Sequence, residues 1–199
     1  VDIFAKSTDA MKRSLEKFNR LVECLEELPT VGKKSAIRLA YHMVMKDSFN
    51  AIKLAHAIEN AVGSLKKCIS CGGMSEDELC AICSDASRDI EVLCIVENAK
   101  DILTFEENGL FDGRYFVLDS LEQLDISHLQ DMVSSGVSEV IFALTPSIQN
   151  DAVILYIEDK LKDYDLHFTK IAQGVPTGVS LENIDILSLT RAMEDRVRV

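Results

Sequence analysis

The sequence predicts a multi-part α+β chain: a helical N-terminal region, a short four-cysteine segment, an α/β domain with a mostly parallel sheet, and a C-terminal tail. Three observations carry this. Apolar residues recur at helical spacing up to about residue 66. Four cysteines follow at C-x2-C-x8-C-x2-C spacing. Beyond residue 91, short apolar runs alternate with stretches of helical period, the pattern of a sheet with crossover helices. The 199 residues hold one medium domain or two small ones, and a hydrophobic share of 47% is that of an ordinary globular protein.

The first helical stripe, over 11–28, is carried by Leu15, Phe18, Leu21, Val22, Leu25 and Leu28. Pro29-Thr30-Val31-Gly32 breaks it. A second helix is expected over about 33–46, with Ile37, Ala40, Tyr41 and Val44 on one face, and a third over roughly 50–66, with Ile52, Ala55, Ile58, Ala61, Val62 and Leu65. The break itself carries chemistry. A tight turn that ends in Gly32 and opens a helix exposes backbone N–H groups, which can hold a DNA phosphate without reading sequence. Lys33, Lys34 and Arg38 lie in the first turns of that helix. Cations are unfavourable at a helix N-terminus, so their presence suggests another purpose. The segment looks like a helix-hairpin-helix, and a plain αα-hairpin fits the spacing equally. The P-loop pattern is absent, which excludes nucleotide hydrolysis here.

Cys68-Ile69-Ser70-Cys71 and Cys80-Ala81-Ile82-Cys83 form two knuckles. Each two-residue gap turns both thiolates toward one point, and two such pairs make the tetrahedral S4 site of a closed, structural zinc. One zinc per chain is expected, as part of the folding energy of a segment with little core of its own. Disulfides are the competing reading; the short gaps and the lack of any sign of secretion argue against them. Cys24 and Cys94 lie in apolar runs and read as small core residues.

After the cysteines, Val92-Leu93-Cys94-Ile95-Val96 reads as a buried parallel strand. A helix is expected at about 99–108, then a strand at Tyr115-Phe116-Val117-Leu118, a helix near 121–135, a strand at Val140-Ile141-Phe142-Ala143-Leu144, a helix at 149–163 and a last strand near 166–172. The tail, 174–199, opens with Gly174-Val175-Pro176-Thr177-Gly178 and ends in a short helix near 186–194. The expected segments are therefore 1–67, 68–90, 91–173 and 174–199. Glu97 falls at the end of the first strand, where α/β sheets place ligand-binding groups. Asp101 falls in the first turn of the next helix, where it either favours the helix N-terminus or joins Glu97 in holding a divalent cation. After the third strand, Thr145-Pro146-Ser147-Ile148-Gln149-Asn150-Asp151 offers Asp151 alone.

The net charge of −12 argues at first against a nucleic-acid partner. Residues 1–67, however, hold twelve Lys and Arg against eight Asp and Glu, whereas residues 68–199 hold nine against twenty-five. Such asymmetry suggests a basic end that meets a polyanion and an acidic end that meets something else; a solvated acidic surface accounts for the charge equally well. No apolar run is long enough to span a bilayer, and the start has no signal-peptide pattern, so a soluble, cytoplasmic protein is expected.

Hairpin, four-cysteine segment and strand ending in Glu, in this order and size, resemble the bacterial RecR family of recombination mediators. The resemblance runs over about residues 15–199. It is dense at 28–40 (LPTVGKKSAIRLA), through the cysteine quartet to Ser84, at Cys94-Ile95-Val96-Glu97, at Gly113-Arg114-Tyr115-Phe116-Val117-Leu118 and at Ile171-Ala172-Gln173-Gly174-Val175-Pro176. It implies a Toprim fold for the α/β part. It implies a protein without catalytic turnover that acts with RecO, and with RecF as a second candidate partner, to load the strand-exchange protein RecA on single-stranded DNA. It implies ring-shaped tetramers around DNA; the need for several hairpins on one assembly makes a dimer the other expected form. Lys34 and Arg38 match the family's DNA-contacting hairpin, Cys68, Cys71, Cys80 and Cys83 its zinc ligands, and Glu97 and Asp101 its first Toprim acids. The chain departs from the family pattern at Thr30, usually Gly; at Gln149-Asn150-Asp151, usually Glu-Gly-Glu; at Asp119-Ser120-Leu121-Glu122-Gln123, usually a Gly- and Pro-containing loop; and after Gly178, where a second Gly is lacking.

Three functional classes follow: a non-enzymatic DNA-binding clamp that recruits partners, a Toprim-type metal-dependent nuclease or topoisomerase relative, and a zinc-stapled scaffold that binds protein alone. The missing Asp-x-Asp after the third strand weighs against the second. The basic hairpin weighs against the third. The first is the reading adopted.

Overall fold

The computed structural model describes residues 15–109, 111–119, 124–172, 178, 180–184 and 186–194. The chain divides into two compact units, Val1–Ser64 and Leu65–Val199.

The first unit contains α1 (Glu16–Glu26), α2 (Lys33–Met45) and α3 (Ser48–Ser64). Its core is small. Val22 of α1 is buried against Ala36 and Ala40 of α2, with Phe18, Leu21, Leu25 and Val31 closing around them. Ala36 and Ala40 stand one helical turn apart, and their small side chains let the two helices approach closely. The expected apolar face of α2 is corrected accordingly: Ile37, Tyr41 and Val44 are exposed, and Ala36 takes the inward place beside Ala40. α3 buries nothing. Its whole apolar stripe faces out, with Phe49 78% and Val62 79% exposed. The physical reason is that, among the described residues, α1 and α2 with Val31 fill the core. Periodicity reports a face that favours burial, not which surface supplies the cover. Cys24, expected inside, is exposed for the same reason: it lies off the α1 face that meets α2.

The second unit starts with the cysteine segment. β1 (Lys66–Lys67) and β2 (Met74–Ser75) pair antiparallel, with Lys66 opposite Ser75 and Lys67 opposite Met74. The first knuckle is the turn between them, and α4 (Ala81–Ser84) follows the second pair's first cysteine, Cys80, as its N-cap.

β3 (Val92–Val96), β4 (Arg114–Val117), β5 (Glu139–Ala143) and β6 (His167–Lys170) then form one sheet in the order β4-β3-β5-β6, every pair parallel. The helices between them are α5 (Ala99–Glu107), α6 (Ile126–Ser134) and α7 (Ile148–Leu161). Successive side chains of a strand point to opposite faces, and β3 is apolar on both. Leu93 and Ile95 enter a core with Leu129 and Val133 of α6 and Val153 and Ile157 of α7. Cys94 and Val96 enter a second core with Ile102 of α5 and with Cys68, Cys71 and Cys80. The zinc segment therefore covers part of a sheet face, a place that a helix commonly takes in α/β folds.

α6 starts five residues later than expected, because Asp125 caps it by accepting the His128 N–H at 3.1 Å. Residues 120–123 and 173–177, on which part of the expected helix and of the tail opening fall, lie outside the described residues. The tail ends in α8 (Ile186–Glu194), as expected. Among the described residues no helix is long and apolar enough to cross a membrane.

Candidate functional site

Three places gather chemistry: the cysteine quartet, the crevice at the carboxyl ends of the strands, and the turn between α1 and α2.

In the quartet, the sulfur atoms of Cys68, Cys71, Cys80 and Cys83 all lie within 4.8 Å of one another. Cys71 and Cys80 Sγ are 3.7 Å apart. All six cysteines of the chain are free thiols. Backbone amides already aim at the sulfurs: Gly73 N–H at Cys71 (3.3 Å), Cys80 N–H at Cys68 (3.3 Å) and Cys83 N–H at Cys80 (3.4 Å). Such donors stabilise thiolate charge and orient ligands. The Cys71 thiol donates to Cys83 and pulls the Cys83 thiol down to about 5; the same bond, with burial, pushes Cys71 up. Four converging soft donors, three of them buried, with no carboxylate or imidazole among them, fit one closed tetrahedral zinc of structural type.

The knuckle is built by short-range backbone geometry. Cys68 N–H donates to Gly73 O at 2.7 Å, and Gly72 N–H to Cys68 O at 2.9 Å. Gly72 adopts a φ of +75°, and a Cβ there would stand 3.3 Å from Val117 Cβ. Both features call for glycine.

The crevice, about 360 Å³ in volume, lies beyond β3, β4 and β5 and is lined by Glu97, Leu118, Asp119, Thr145, Ser147 and Asn150. Glu97 accepts the Thr145 N–H at 3.2 Å. Hydrogen bonding from Thr145, aided by Asn150 and the nearby Lys100, holds its carboxyl below the usual range against partial burial. Asn150 Nδ2 donates to Thr145 O at 2.7 Å, and its backbone N–H to Ser147 Oγ at 3.1 Å, capping α7. Asp119 takes a left-handed φ of +52° and its carboxylate pairs with Lys67.

The structure does not gather the three acids named from the sequence. Asp101 is taken up by the start of α5, where its carboxylate accepts the Asn98 N–H at 2.8 Å. Asp151 lines a different groove, between α7 and β6, with Phe142, Ile154 and Lys170. Among the described residues, the cysteine quartet is the one cluster of three or more potential ligands; Glu97, Asp101 and Asp151 do not form another. Sequence reasoning missed Asp119 as the second crevice acid. The signal that could have found it is position: Glu97 directly follows β3 and Asp119 stands two residues past the end of β4, both at carboxyl ends of strands.

In the turn between α1 and α2, Val31 N–H donates to Leu28 O at 3.1 Å. Pro29 and Thr30 occupy its middle, and Thr30 has a φ of +68°, as in a type II turn, whose third position favours Gly. Gly32, in extended conformation, is the N-cap of α2 and offers no side chain to its first amides. No acid lies in the first turn of α2. Lys33, Lys34 and Arg38 are exposed there, with Lys34 and Arg38 one turn apart on the same face.

Comparison with known proteins covers the same parts. The family model described as RecR, helix-hairpin-helix, matches residues 18–62, and the model for the RecR zinc finger domain of four cysteines matches residues 65–85. The chain is 58% identical over 190 residues to the recombination protein RecR of a Nitratiruptor species, covering 95% of this chain and 100% of that one. It is 54% identical over 190 residues to the RecR protein of Campylobacter jejuni subsp. doylei, with the same coverage. It is 49% identical over 188 residues to that of Helicobacter pylori, covering 94% of this chain and 97% of the relative.

Proposed function

The chain belongs to the RecR family of recombination proteins, and on that premise we propose that it is a DNA-binding mediator of recombinational repair that works without catalytic turnover. It acts with a RecO-type protein, and with a RecF-type protein as a second candidate, to load the strand-exchange protein RecA on single-stranded DNA. The observation that carries this reading is the uncapped N-terminus of α2, with Gly32 at its head and Lys33, Lys34 and Arg38 exposed around it. Free amides and cations at one helix end suit a phosphate. The labour divides along the chain. Residues 1–67 meet DNA, 68–90 bind zinc, 91–173 form the α/β domain that meets protein partners, and 174–199 form the tail.

Support for the absence of turnover comes from the acids. Two-metal phosphodiester chemistry needs carboxylates converging on ions about 4 Å apart. Here Asp101 is a helix cap, Asp151 lies in another groove, and Asp119 is paired with Lys67.

One hairpin offers few phosphate contacts, and residues 68–199 repel DNA with nine cations against twenty-five acids. Appreciable affinity then needs several hairpins on one assembly, where the second contact benefits from high effective concentration. The exposed apolar face of α3, with Phe49, Ile52, Ile58 and Val62, supports a homodimer or a tetrameric ring. The location proposed with this function is the cytoplasm, at the nucleoid.

The test is incubation with supercoiled and single-stranded DNA in Mg2+ or Mn2+, beside a binding assay. Binding without cleavage is the expected result. Cleavage that disappears in Glu97→Gln would establish the enzymatic class instead.

A further inference from the structure

The cysteine segment grips one wall of the crevice at two points, and the two grips flank the residues that line it. Val117, the last residue of β4, pairs with Val96 on its β3 side and donates its N–H outward to Cys71 O at 2.8 Å. The first knuckle thus takes up an outward-facing amide of the edge strand. Gly72 rests on the Val117 side chain, so this contact has no slack. Two residues on, Asp119 pairs with Lys67, the residue directly before Cys68. Between these points, Leu118 N–H donates to Val96 O at 2.9 Å and Asp119 N–H to Glu97 O at 3.2 Å, carrying the β3–β4 register into the crevice. A third tie lies behind: His128 Nε2 of α6 is 2.7 Å from Ser70 O, inside the first knuckle.

We propose that the zinc knuckle positions the β4 wall of the crevice, so that metal occupancy and the placement of Asp119 are thermodynamically linked. The physical chain is short. Zinc fixes Cys68 and Cys71, and with them the intervening backbone, because four thiolates hold one ion. The fixed backbone presents Cys71 O to Val117 and Lys67 to Asp119. Asp119 holds a left-handed φ, a conformation that persists only where the surroundings impose it. Without metal the two cysteine pairs lose the ion that ties them together, the packing of Cys68, Cys71 and Cys80 against Val96, Ile102 and Val117 is left to hold these groups alone, and the wall at 117–119 loosens next to Glu97. A partner that binds the crevice then meets a formed surface in the zinc-loaded protein and a loosened one after zinc loss. The inference rests on the zinc site and not on the identity of any crevice partner.

Linkage is reciprocal, so a change at Asp119 must alter zinc retention in turn. The experiment measures the zinc affinity of the full, reduced chain by equilibrium competition with a chelating colorimetric metal indicator. It compares wild type with Asp119→Ala and Lys67→Met, and with Asp159→Ala as a control that removes another surface ion pair of the same unit, that with Lys162. Affinity for zinc is expected to be weaker by about fivefold in Asp119→Ala and Lys67→Met, the lower end of the usual coupling between linked sites, and unchanged in the control. Hydrogen exchange on the zinc-loaded and zinc-stripped chain gives the second readout. Faster exchange is expected at the 117–119 amides as well as within 66–85, with α6 amides around Leu129 and Val133 still protected. Zinc affinity equal to wild type in both variants, or exchange that rises within 66–85 alone, would overturn the proposal. A wild type purified without any zinc would overturn the zinc reading itself, and metal content separates that outcome from the others.

Discussion

Thr30 is a β-branched residue in a left-handed backbone, with a φ of +68°. Such a residue costs on the order of 1–2 kcal/mol there. Pro29 before it and the Val31–Leu28 bond across it hold the turn in place. Thr30→Gly is expected to stabilise the protein by roughly 1 kcal/mol, after the added freedom of the unfolded chain is counted. Thermal unfolding checks this, with zinc content unchanged. The same scale governs the metal. Cys68→Ser or Cys83→Ser leaves three thiolates, and the purified variant is expected to lose its zinc and its soluble fold; metal analysis of wild type should give about one zinc per chain. Acid should have the same effect by another route. Cys83 is lowered and Cys71 raised by the one hydrogen bond they share, so the acid effect follows from the metal: protons compete with zinc for the four thiolates, and zinc is lost as pH falls. Zinc content followed from neutral pH to about pH 4.5 is expected to fall near the lower end of that range.

Among the elements, strands and helices of the α/β domain were legible because each carries its own signal. β3 is a continuous apolar run, α7 opens with a Ser cap, and the cysteine spacing needs no tertiary context. What the sequence left open depended on neighbours. The stripe of α3 is helical as expected, yet nothing among the described residues of its unit covers it. Cys24 sits in an apolar run but off the packed face. The start of α6 shifted because the Asp125 cap went unrecognised. Glu97 and Asp101 were two residues of one motif with two readings, and the backbone of α5 separates them: Asp101 closes the helix start by accepting the Asn98 N–H. Asp101→Ala is expected to cost about 1 kcal/mol, the usual loss of a capping interaction, with DNA binding unchanged. Chemical denaturation and a binding assay check the two halves. A binding defect larger than the stability loss explains would return Asp101 to the functional site. Tyr115→Phe tests how β4 holds the other end of α5: the Tyr115 hydroxyl donates to Glu106 at 2.7 Å, while Arg88 also holds Glu106. Its loss is expected to cost about 1 kcal/mol, since Glu106 keeps a charged partner.

For the whole molecule, charge and composition pointed in opposite directions until they were divided along the chain. A net charge of −12 repels DNA, while residues 1–67 alone carry a cationic excess. Long-range repulsion between exposed charges is screened beyond about 8 Å at physiological salt, whereas contacts at the hairpin are local. Binding to DNA is therefore expected to be independent of sequence, to weaken as salt rises, and to need an assembly with several hairpins. The most direct measurement is fluorescence anisotropy of labelled single-stranded DNA across a salt series, with wild type and Lys34→Glu/Arg38→Glu compared at matched assembly size and zinc content. The double variant is expected to lose binding by more than about tenfold, and each phosphate no longer neutralised should flatten the salt slope by ~0.7. Binding by the double variant equal to that of wild type, or equally tight binding by a demonstrably monomeric wild type, would contradict the clamp account.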